Sequence, residues 1–218
     1  MKVGIVGFGS IGTEVAKALI IGVENFSLYG VVSRSRENVE QRILQLNHQI
    51  KIFELETLIE KCDIIIDCAP KEAFREIAIQ CIQKDKTLIT VSGAGILDNL
   101  DLEEMAREKN TQIILATGAI LGLDALRAAS ESKINSVKMT TRKPPNALSN
   151  APYVVKNGIQ LHQLLESKLI FKGSATEGAK AFPANVNVAA AVGLAGIGAD
   201  KTELEIWADP NLDRNTHK

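Results

Sequence analysis

Short apolar runs alternate with amphipathic stretches along the first half of the chain, and this alternation predicts strands separated by helices. Strands are predicted at residues 2–6, 27–32, 50–52, 63–67, 87–91 and 112–115. Helices are predicted near residues 13–20, 36–47, 55–59, 71–83 and 98–109. The run at 63–67 is continuously apolar between its two aspartates, as in a strand that helices cover on both faces. The pattern therefore predicts an α/β domain with a doubly wound parallel sheet over residues 1–118.

The pattern changes near residue 120. Half-exposed strands are predicted at residues 137–141, 168–171 and 202–208, and helices at 175–182 and 188–198. Pro144 and Pro145 end the first of these strands, and residues 146–166 are predicted to form a long surface connection. An α+β second domain is therefore expected over residues 119–218. Core positions are predicted for Phe74, Phe171 and Phe182.

A G-x-G-x-x-G motif follows the first apolar strand directly and precedes the first helix. In that context its first glycine permits a tight turn, its second lets a pyrophosphate approach the backbone, and its third lets helix and strand pack closely. The N–H groups and positive end of the helix then face the phosphates. The motif predicts a Rossmann-type dinucleotide site. The predicted contacts are Gly7, Gly9, Ser10, Ile11 and Gly12.

The second strand runs into Ser33-Arg34-Ser35-Arg36 and not into the acidic residue that binds a ribose 2′-hydroxyl in many such sites. Hydroxyl and guanidinium groups suit a 2′-phosphate, which a carboxylate would repel. The alternative interpretation is a solvated turn before a helix. We expect NADP to be preferred over NAD, with Ser33 and Arg34 as contacts.

Small residues follow two later strands, in Cys68-Ala69-Pro70 and Val91-Ser92-Gly93-Ala94. The carboxyl ends of parallel strands supply ligand contacts in sheets of this kind. We therefore expect Ala69, Pro70 and Ser92 to lie along the cofactor, although small residues are also typical of plain turns.

The charge pattern excludes some classes of partner. The formal net charge is −1 and both signs are interspersed, so no basic face predicts nucleic-acid binding. No apolar run reaches transmembrane length and no signal-peptide pattern is present, so no membrane partner is expected. Cys62, Cys68 and Cys81 lack metal-ligand spacing, which predicts reduced thiols in a cytoplasmic protein and no metal site. Cys68 is interpreted as a small apolar filler.

Five further motifs carry more information than their periodicity. They lie at residues 117–125, 140–145, 171–175, 182–189 and 208–217. Together with the glycine motif, their order and spacing closely resemble the L-aspartate dehydrogenase family across essentially the whole chain. One departure is Leu121, which replaces the first glycine of a pair that this family usually carries.

The resemblance implies NAD- or NADP-dependent oxidation of L-aspartate to iminoaspartate, which hydrolyses to oxaloacetate and ammonia, or the reverse reaction. In many bacteria and archaea this imine feeds NAD biosynthesis. The family's catalytic histidine matches His217, which would otherwise be interpreted as part of a tail. The family's nicotinamide and substrate neighbourhood matches Ala119 and Asn187. Arg142 and Lys143 are candidates, by sequence position alone, for binding the two substrate carboxylates.

The resemblance also implies a homodimer. Because family members continue beyond the position of Lys218, it leads us to expect a second domain that is incomplete at its C-terminal side. Two alternatives stay open. One is another NADP-dependent reductase, similar to homoserine dehydrogenase or dihydrodipicolinate reductase, and the other is a non-catalytic NADP(H)-binding protein. His48 and His162 lie outside any motif and are predicted to be surface residues.

Overall fold

The computed structural model of the chain describes residues 1–183 and 186–218. The chain divides into two compact units, Met1–Ala116 and Thr117–Lys218. No helix in the described ranges is both long enough and apolar enough to cross a membrane.

The first unit is a parallel sheet with helical connections. Its elements are β1 (Lys2–Val6), α1 (Ser10–Ile21), β2 (Ser27–Val32), α2 (Arg36–Gln45), α3 (Leu55–Lys61), β3 (Ile64–Asp67), α4 (Lys71–Gln83), β4 (Thr87–Thr90), α5 (Gly93–Leu97), α6 (Asp101–Glu108) and β5 (Ile113–Leu115). The strand order is β2-β1-β3-β4-β5, and every neighbouring pair is parallel. The strand predicted at 50–52 is reduced to one parallel bridge between Ile52 and Val31, at the outer edge of β2.

Apolar side chains cover both faces of this sheet. One cluster gathers the buried face of α4 with residues of α3, β3, β4 and α6, and its members include Phe74, Ile77 and Leu88. A second cluster includes Ile5 of β1 and Ala16 of α1. Burial on both faces explains why apolar residues dominate these strands, and it confirms the predicted doubly wound sheet.

The helix predicted at 98–109 begins later, as α6 at Asp101, and the sequence did not predict the short helix α5 that precedes it at Gly93–Leu97. The glycines of α5 disfavour a helix locally. The helix is stabilised from outside: the Ser92 hydroxyl accepts a hydrogen bond from the amide of Gly95 (3.2 Å). A Cβ atom at Gly95 would lie 2.7 Å from the Phe74 ring, so only glycine fits against this buried side chain.

The second unit is an α+β arrangement, as predicted. Its elements are α7 (Leu123–Ser130), β6 (Val137–Lys143), a 3₁₀ turn (Pro145–Ala147), α8 (Pro152–Lys156), β7 (Lys168–Ser174), α9 (Ala175–Ala181), α10 (Asn187–Ala195), β8 (Thr202–Ala208) and β9 (Thr216–His217). The strand order is β7-β8-β6-β9, in which β6 and β8 are parallel and the outer pairs are antiparallel. Both α9 and α10 pack against this sheet.

The two faces of the second sheet differ in polarity. Met139, Thr141 and Lys143 of β6 alternate as buried residues, and their partners on β8 are the buried Leu204, Ile206 and Ala208. The opposite face carries ion pairs, such as Lys138 with Glu205 at 2.7 Å. The alternation therefore places Thr141 and Lys143 on the apolar side of the sheet.

The prediction of a surface connection at 146–166 is wrong. Leu148, Val154 and Leu161 from this segment are buried, with exposures of 0%, 3% and 2%. The ring of Tyr153 on α8 lies 5.6 Å from that of Phe171 and 5.4 Å from that of Phe182. The proline and polar residues of the segment suggested a loop, but its apolar residues complete the core of the second unit. The predicted burial of Phe74, Phe171 and Phe182 is confirmed.

Candidate functional site

Four loops leave the first sheet along its carboxyl edge. The first residue of each loop donates a backbone hydrogen bond to the carbonyl oxygen of the last residue in the neighbouring strand. These bonds join Gly7 to Val32 (2.9 Å), Cys68 to Val6 (2.7 Å), Val91 to Asp67 (3.1 Å) and Ala116 to Thr90 (2.9 Å). The glycine turn and the loops after β3 and β4 are therefore neighbours at the edge where ligands bind in sheets of this type.

The three glycines of the turn are constrained differently. Gly7 has φ +89°, and a Cβ atom there would lie 2.5 Å from the amide nitrogen of Ala69. A Cβ atom at Gly12 would overlap the carbonyl oxygen of Gly7. At Gly9, by contrast, no described heavy atom lies within 4 Å of the Cβ position. The fold itself requires glycine at 7 and 12, whereas position 9 borders open space that suits a closely approaching pyrophosphate.

The N-terminus of α1 is open at this turn. Gly9 is its N-cap residue, in an extended conformation, and no side chain in the described ranges caps the helix. No acidic residue lies in its first turn, and Ser10 and Ile11 are exposed. The amide groups and the positive end of the helix are thus available to an anion.

The two arginines after β2 are not equivalent. The Arg36 Nε atom lies 3.1 Å from Glu40 Oε1 on the surface of α2. Arg34 is exposed and has no ion-pair or hydrogen-bond partner among the described residues. Ser33 is half-buried, and its hydroxyl lies at 3.5 Å from the Ser35 carbonyl. Arg34 is therefore the available guanidinium, a distinction that the sequence did not give.

A buried hydrogen-bond relay connects the loops after β3 and β4. The Asp67 carboxylate accepts from the amide of Ala69 (2.9 Å) and from the Thr90 hydroxyl (2.7 Å). The Thr90 hydroxyl accepts in turn from the amide of Ser92 (2.9 Å). Asp67 and Thr90 are both 0% exposed, and burial raises the pKa of Asp67 above its ordinary value. This Asp67–Thr90 relay fixes the backbone of two residues predicted to line the cofactor.

Sequence reasoning missed the relay, although a signal was present. Asp67 is the last residue of the otherwise apolar β3, and Thr90 is the last residue of β4. A polar side chain at that position has no reason to be buried unless it bonds to the loop that follows.

The remaining residues predicted to line the cofactor at this edge differ from one another in solvent exposure. Ala69 is half-buried and Pro70 is exposed. The hydroxyl of Ser92 is buried and serves as the cap of α5. Burial raises the pKa of the Cys68 thiol to about 12, so the group stays protonated at neutral pH.

In the second unit, the loop at 117–122 lies against the start of α10. A Cβ atom at Gly118 would be 3.6 Å from Val188 Cγ2, and Asn187 is the first residue of that helix. The structure thus brings the exposed Ala119 to the same part of the unit as the half-buried Asn187. Asn185, the first asparagine of the N-x-N motif, lies outside the described residues.

Leu121 does not disturb this loop. Its side chain is 97% exposed, and its backbone φ angle is not positive. Gly122, the glycine that remains of the pair, has φ +82°. The left-handed conformation is therefore needed only where glycine is kept.

His217 lies in a strand and not in a free tail. It is paired with Thr141 in the antiparallel β6–β9 ladder, and Thr140 and Lys218 exchange backbone hydrogen bonds of 2.8 and 2.9 Å beside it. The imidazole Nδ1 atom is buried and has no hydrogen-bond partner among the described residues. Burial, and then the positive charge of Lys143, lower the pKa of His217 below its ordinary value.

Arg142 and Lys143 lie on opposite faces of β6. Arg142 contacts Asp209 at 3.4 Å, and its guanidinium lies 4.8 Å from the centre of the Trp207 ring. Lys143 is 4% exposed, has no ion-pair partner in the described ranges, and has its pKa lowered by burial. Thr141, on the same face, is 1% exposed, and its hydroxyl is also unpartnered there. His48 and His162 are exposed.

Comparisons with known proteins agree with this division of the chain. Residues 7–116 match the family model described as homoserine dehydrogenase, NAD binding domain. Residues 124–218 match the model described as aspartate dehydrogenase, C-terminal.

Curated relatives match over the whole chain. An L-aspartate dehydrogenase from Bradyrhizobium diazoefficiens is 43% identical over 218 residues, covering 100% of this chain and 78% of the relative. One from Methanococcoides burtonii is 37% identical, covering 100% of this chain and 82% of the relative. Among solved structures, the aspartate dehydrogenase of Thermotoga maritima superposes with a TM-score of 0.76 at 26% identity, covering 100% of this chain and 82% of that one.

These matches favour one of the interpretations that the sequence left open. The nucleotide-binding unit alone is shared with other dehydrogenases, including homoserine dehydrogenase. The second unit matches the C-terminal part of aspartate dehydrogenases, and the curated relatives are similar along both units. The chain therefore belongs to the L-aspartate dehydrogenase family of nicotinamide-dependent oxidoreductases.

Proposed function

We propose that this chain catalyses the NAD(P)-dependent oxidative deamination of L-aspartate, and the reverse reductive amination. L-Aspartate would lose a hydride and a proton to give iminoaspartate, and water would then convert the imine to oxaloacetate and ammonia. The names of its relatives supply the substrate. The single observation that carries the proposal is His217, which is held opposite Thr141 in a strand, with its Nδ1 atom buried and without a hydrogen-bond partner in the described ranges.

His217 is proposed as the acid–base residue. Because its pKa is lowered, the imidazole is neutral at neutral pH and can accept a proton from water that attacks the imine. The resulting imidazolium can return that proton to the departing amine. A histidine anchored by backbone bonds to β6 is well suited to this task, since proton transfer requires a fixed distance and angle.

The cofactor is proposed to bind the glycine turn, with its pyrophosphate near Gly9 and the first amides of α1. Its nicotinamide ring would accept the hydride from the substrate Cα. The space beside Gly9 and the uncapped helix end fit a diphosphate. The remaining proposed contacts are Gly7, Ser10, Ile11, Gly12, Ala69, Pro70, Ser92, Ala119 and Asn187.

NADP is proposed as the preferred cofactor. Ser33 and Arg34, which has no ion-pair partner among the described residues, follow β2 where a carboxylate would exclude the 2′-phosphate, and no acidic residue lies among residues 33–36. From the resemblance we further propose a cytoplasmic homodimer whose iminoaspartate feeds NAD biosynthesis.

The proposal is tested by following NADPH oxidation with oxaloacetate and ammonium, supplied together and separately. We expect turnover only when both are present, and NADP⁺ reduction with L-aspartate but not with homoserine. NADPH oxidation with oxaloacetate in the absence of ammonium would indicate a hydroxy-acid dehydrogenase. Tight NADPH binding without turnover of any of these compounds would indicate a non-catalytic binding protein.

A further inference from the structure

Three polar groups that have no partner among the described residues meet on the apolar face of the second sheet. Two are buried atoms, the Thr141 hydroxyl and the Nδ1 atom of His217. The third is the ammonium group of Lys143, a residue that is 4% exposed. Lys143 and Thr141 are two residues apart on β6, so both point to the same face. His217 is directly opposite Thr141 and diagonal to Lys143, a separation that a lysine side chain spans.

The described residues around these groups provide no compensating charge or hydrogen bond. The residues paired with Thr141 and Lys143 on β8 are Ile206 and Ala208, both 0% exposed. The carboxylates nearest along these strands, Glu203, Glu205 and Asp209, are engaged by Lys138, Lys172 and Arg142. An uncompensated buried cation is costly, and native structures seldom keep one without a ligand or a partner.

We infer that Lys143 binds a carboxylate of the dicarboxylic substrate, with the Thr141 hydroxyl as a second donor. This inference rests on the proposed function, because it assigns a substrate contact within that reaction. A carboxylate supplies the opposite charge that Lys143 needs as a partner, and its oxygens can accept hydrogen bonds from both the ammonium and the hydroxyl group. It also places the substrate on the face of the sheet from which His217 projects. Arg142, the other sequence candidate, lies on the opposite face and already has Asp209 and Trp207 as neighbours.

The test uses succinate, a dicarboxylate that has no amino group to be oxidised, and butyrate, a monocarboxylate of the same chain length. Isothermal titration calorimetry of the full chain, with and without NADP⁺, measures both affinities. Lys143→Met keeps an unbranched apolar stem but removes the terminal ammonium and its charge. Arg142→Met is the matched control, since it removes the same charge from the adjacent residue.

We expect the unmodified chain to bind succinate more tightly than butyrate. Lys143→Met should weaken succinate binding roughly 10- to 100-fold, the equivalent of one charged hydrogen bond. Its melting temperature should be unchanged or higher, because a buried unpaired charge has been removed. Arg142→Met should bind succinate as the unmodified chain does. A purely structural lysine would show the opposite result, in which Lys143→Met loses stability and keeps its affinity for succinate.

The inference is overturned if the unmodified chain does not bind succinate, if Lys143→Met binds it normally, or if Arg142→Met loses as much affinity. These results are separable from the proposed reaction. Lys143-dependent succinate binding without turnover of L-aspartate would contradict the proposed function alone. Turnover of L-aspartate with unchanged kinetics in Lys143→Met would contradict the inference alone.

Discussion

Thr141 and His217 lie directly opposite each other in the antiparallel β6–β9 pair, although 75 residues separate them in the chain. Directly opposed side chains point to the same face of a sheet, so the histidine shares the face that carries the buried Lys143. The register of two short strand segments thus determines which groups surround the proposed acid–base residue. We predict that His217 is the acid–base residue of the reaction.

Replacing His217 by alanine should lower turnover by about 10²- to 10⁴-fold, the usual contribution of a positioned proton-transfer group. NADPH affinity should be unchanged, because the glycine turn is in the other unit. Steady-state kinetics and NADPH fluorescence titration measure the two effects separately. His162→Ala is the matched control, since His162 is exposed and belongs to no motif. Unaltered turnover in His217→Ala would show that another group transfers the proton.

The pKa of His217 should lie below the ordinary imidazole value of 6.5, because burial and the Lys143 charge both disfavour the imidazolium. In Lys143→Met the nearby positive charge is gone, so the pKa should rise. NMR titration of the imidazole protons, assigned with His217→Ala, measures both values. A His217 pKa at or above 6.5 in the unmodified chain, or a further decrease in Lys143→Met, would contradict this electrostatic picture.

The sequence predicts the first unit well because its signals are local. Apolar runs, helical spacing and the glycine turn each act over a few residues, and the structure confirms the sheet that they imply. The strand at His217 has no such signal. It is two residues long, and it forms through its pairing with β6, a segment far away in the chain.

The errors have the same origin. The two glycines in α5 argue against a helix locally, but the Ser92 cap and the buried Phe74 ring stabilise it from outside. The segment at 146–166 mixes polar and apolar residues in sequence, and only the aromatic cluster of the second unit shows why its apolar residues are buried. The difference between Arg142 and Lys143 is likewise a property of strand orientation, which adjacent positions in a sequence do not reveal.

The glycine turn should respond differently at each glycine. Gly9→Val should leave the fold intact, since no described atom lies within 4 Å of the Cβ position, yet it should abolish NADPH binding. Gly12→Val should unfold or destabilise the chain, because its Cβ atom would overlap the carbonyl oxygen of Gly7. Thermal unfolding by circular dichroism and NADPH titration measure the two outcomes. A folded Gly9→Val variant with normal NADPH affinity would place the cofactor elsewhere.

Cofactor preference should depend on Arg34 and not on Arg36. Arg34→Gln should weaken NADP⁺ binding roughly 10- to 100-fold with little effect on NAD⁺, as expected for the loss of one charged contact to the 2′-phosphate. Arg36→Gln is the matched control, since Arg36 is already paired with Glu40. Adding Ser33→Asp should shift the preference further towards NAD⁺. If the unmodified chain binds NADH about tenfold more tightly than NADPH, the NADP preference is wrong.

The Asp67–Thr90 relay should stabilise the loops that carry Ala69 and Ser92. Thr90→Val keeps the shape of the side chain but removes the hydrogen-bond partner of the Asp67 Oδ2 atom and of the Ser92 amide, while the Ala69 amide still donates to Asp67 Oδ1. The expected cost is about 1–3 kcal/mol in the free energy of unfolding, measured by urea denaturation. NADPH affinity should fall as well, because both loops lie beside the glycine turn.

Thr87→Val is the control on the same strand, since Thr87 is half-buried and makes no side-chain hydrogen bond to a described residue. Its cost in the free energy of unfolding should stay within about 0.5 kcal/mol. Equal costs for the two variants would show that the relay is not a special contributor. A loss of stability in Thr90→Val without any loss of NADPH affinity would separate the relay from the cofactor site.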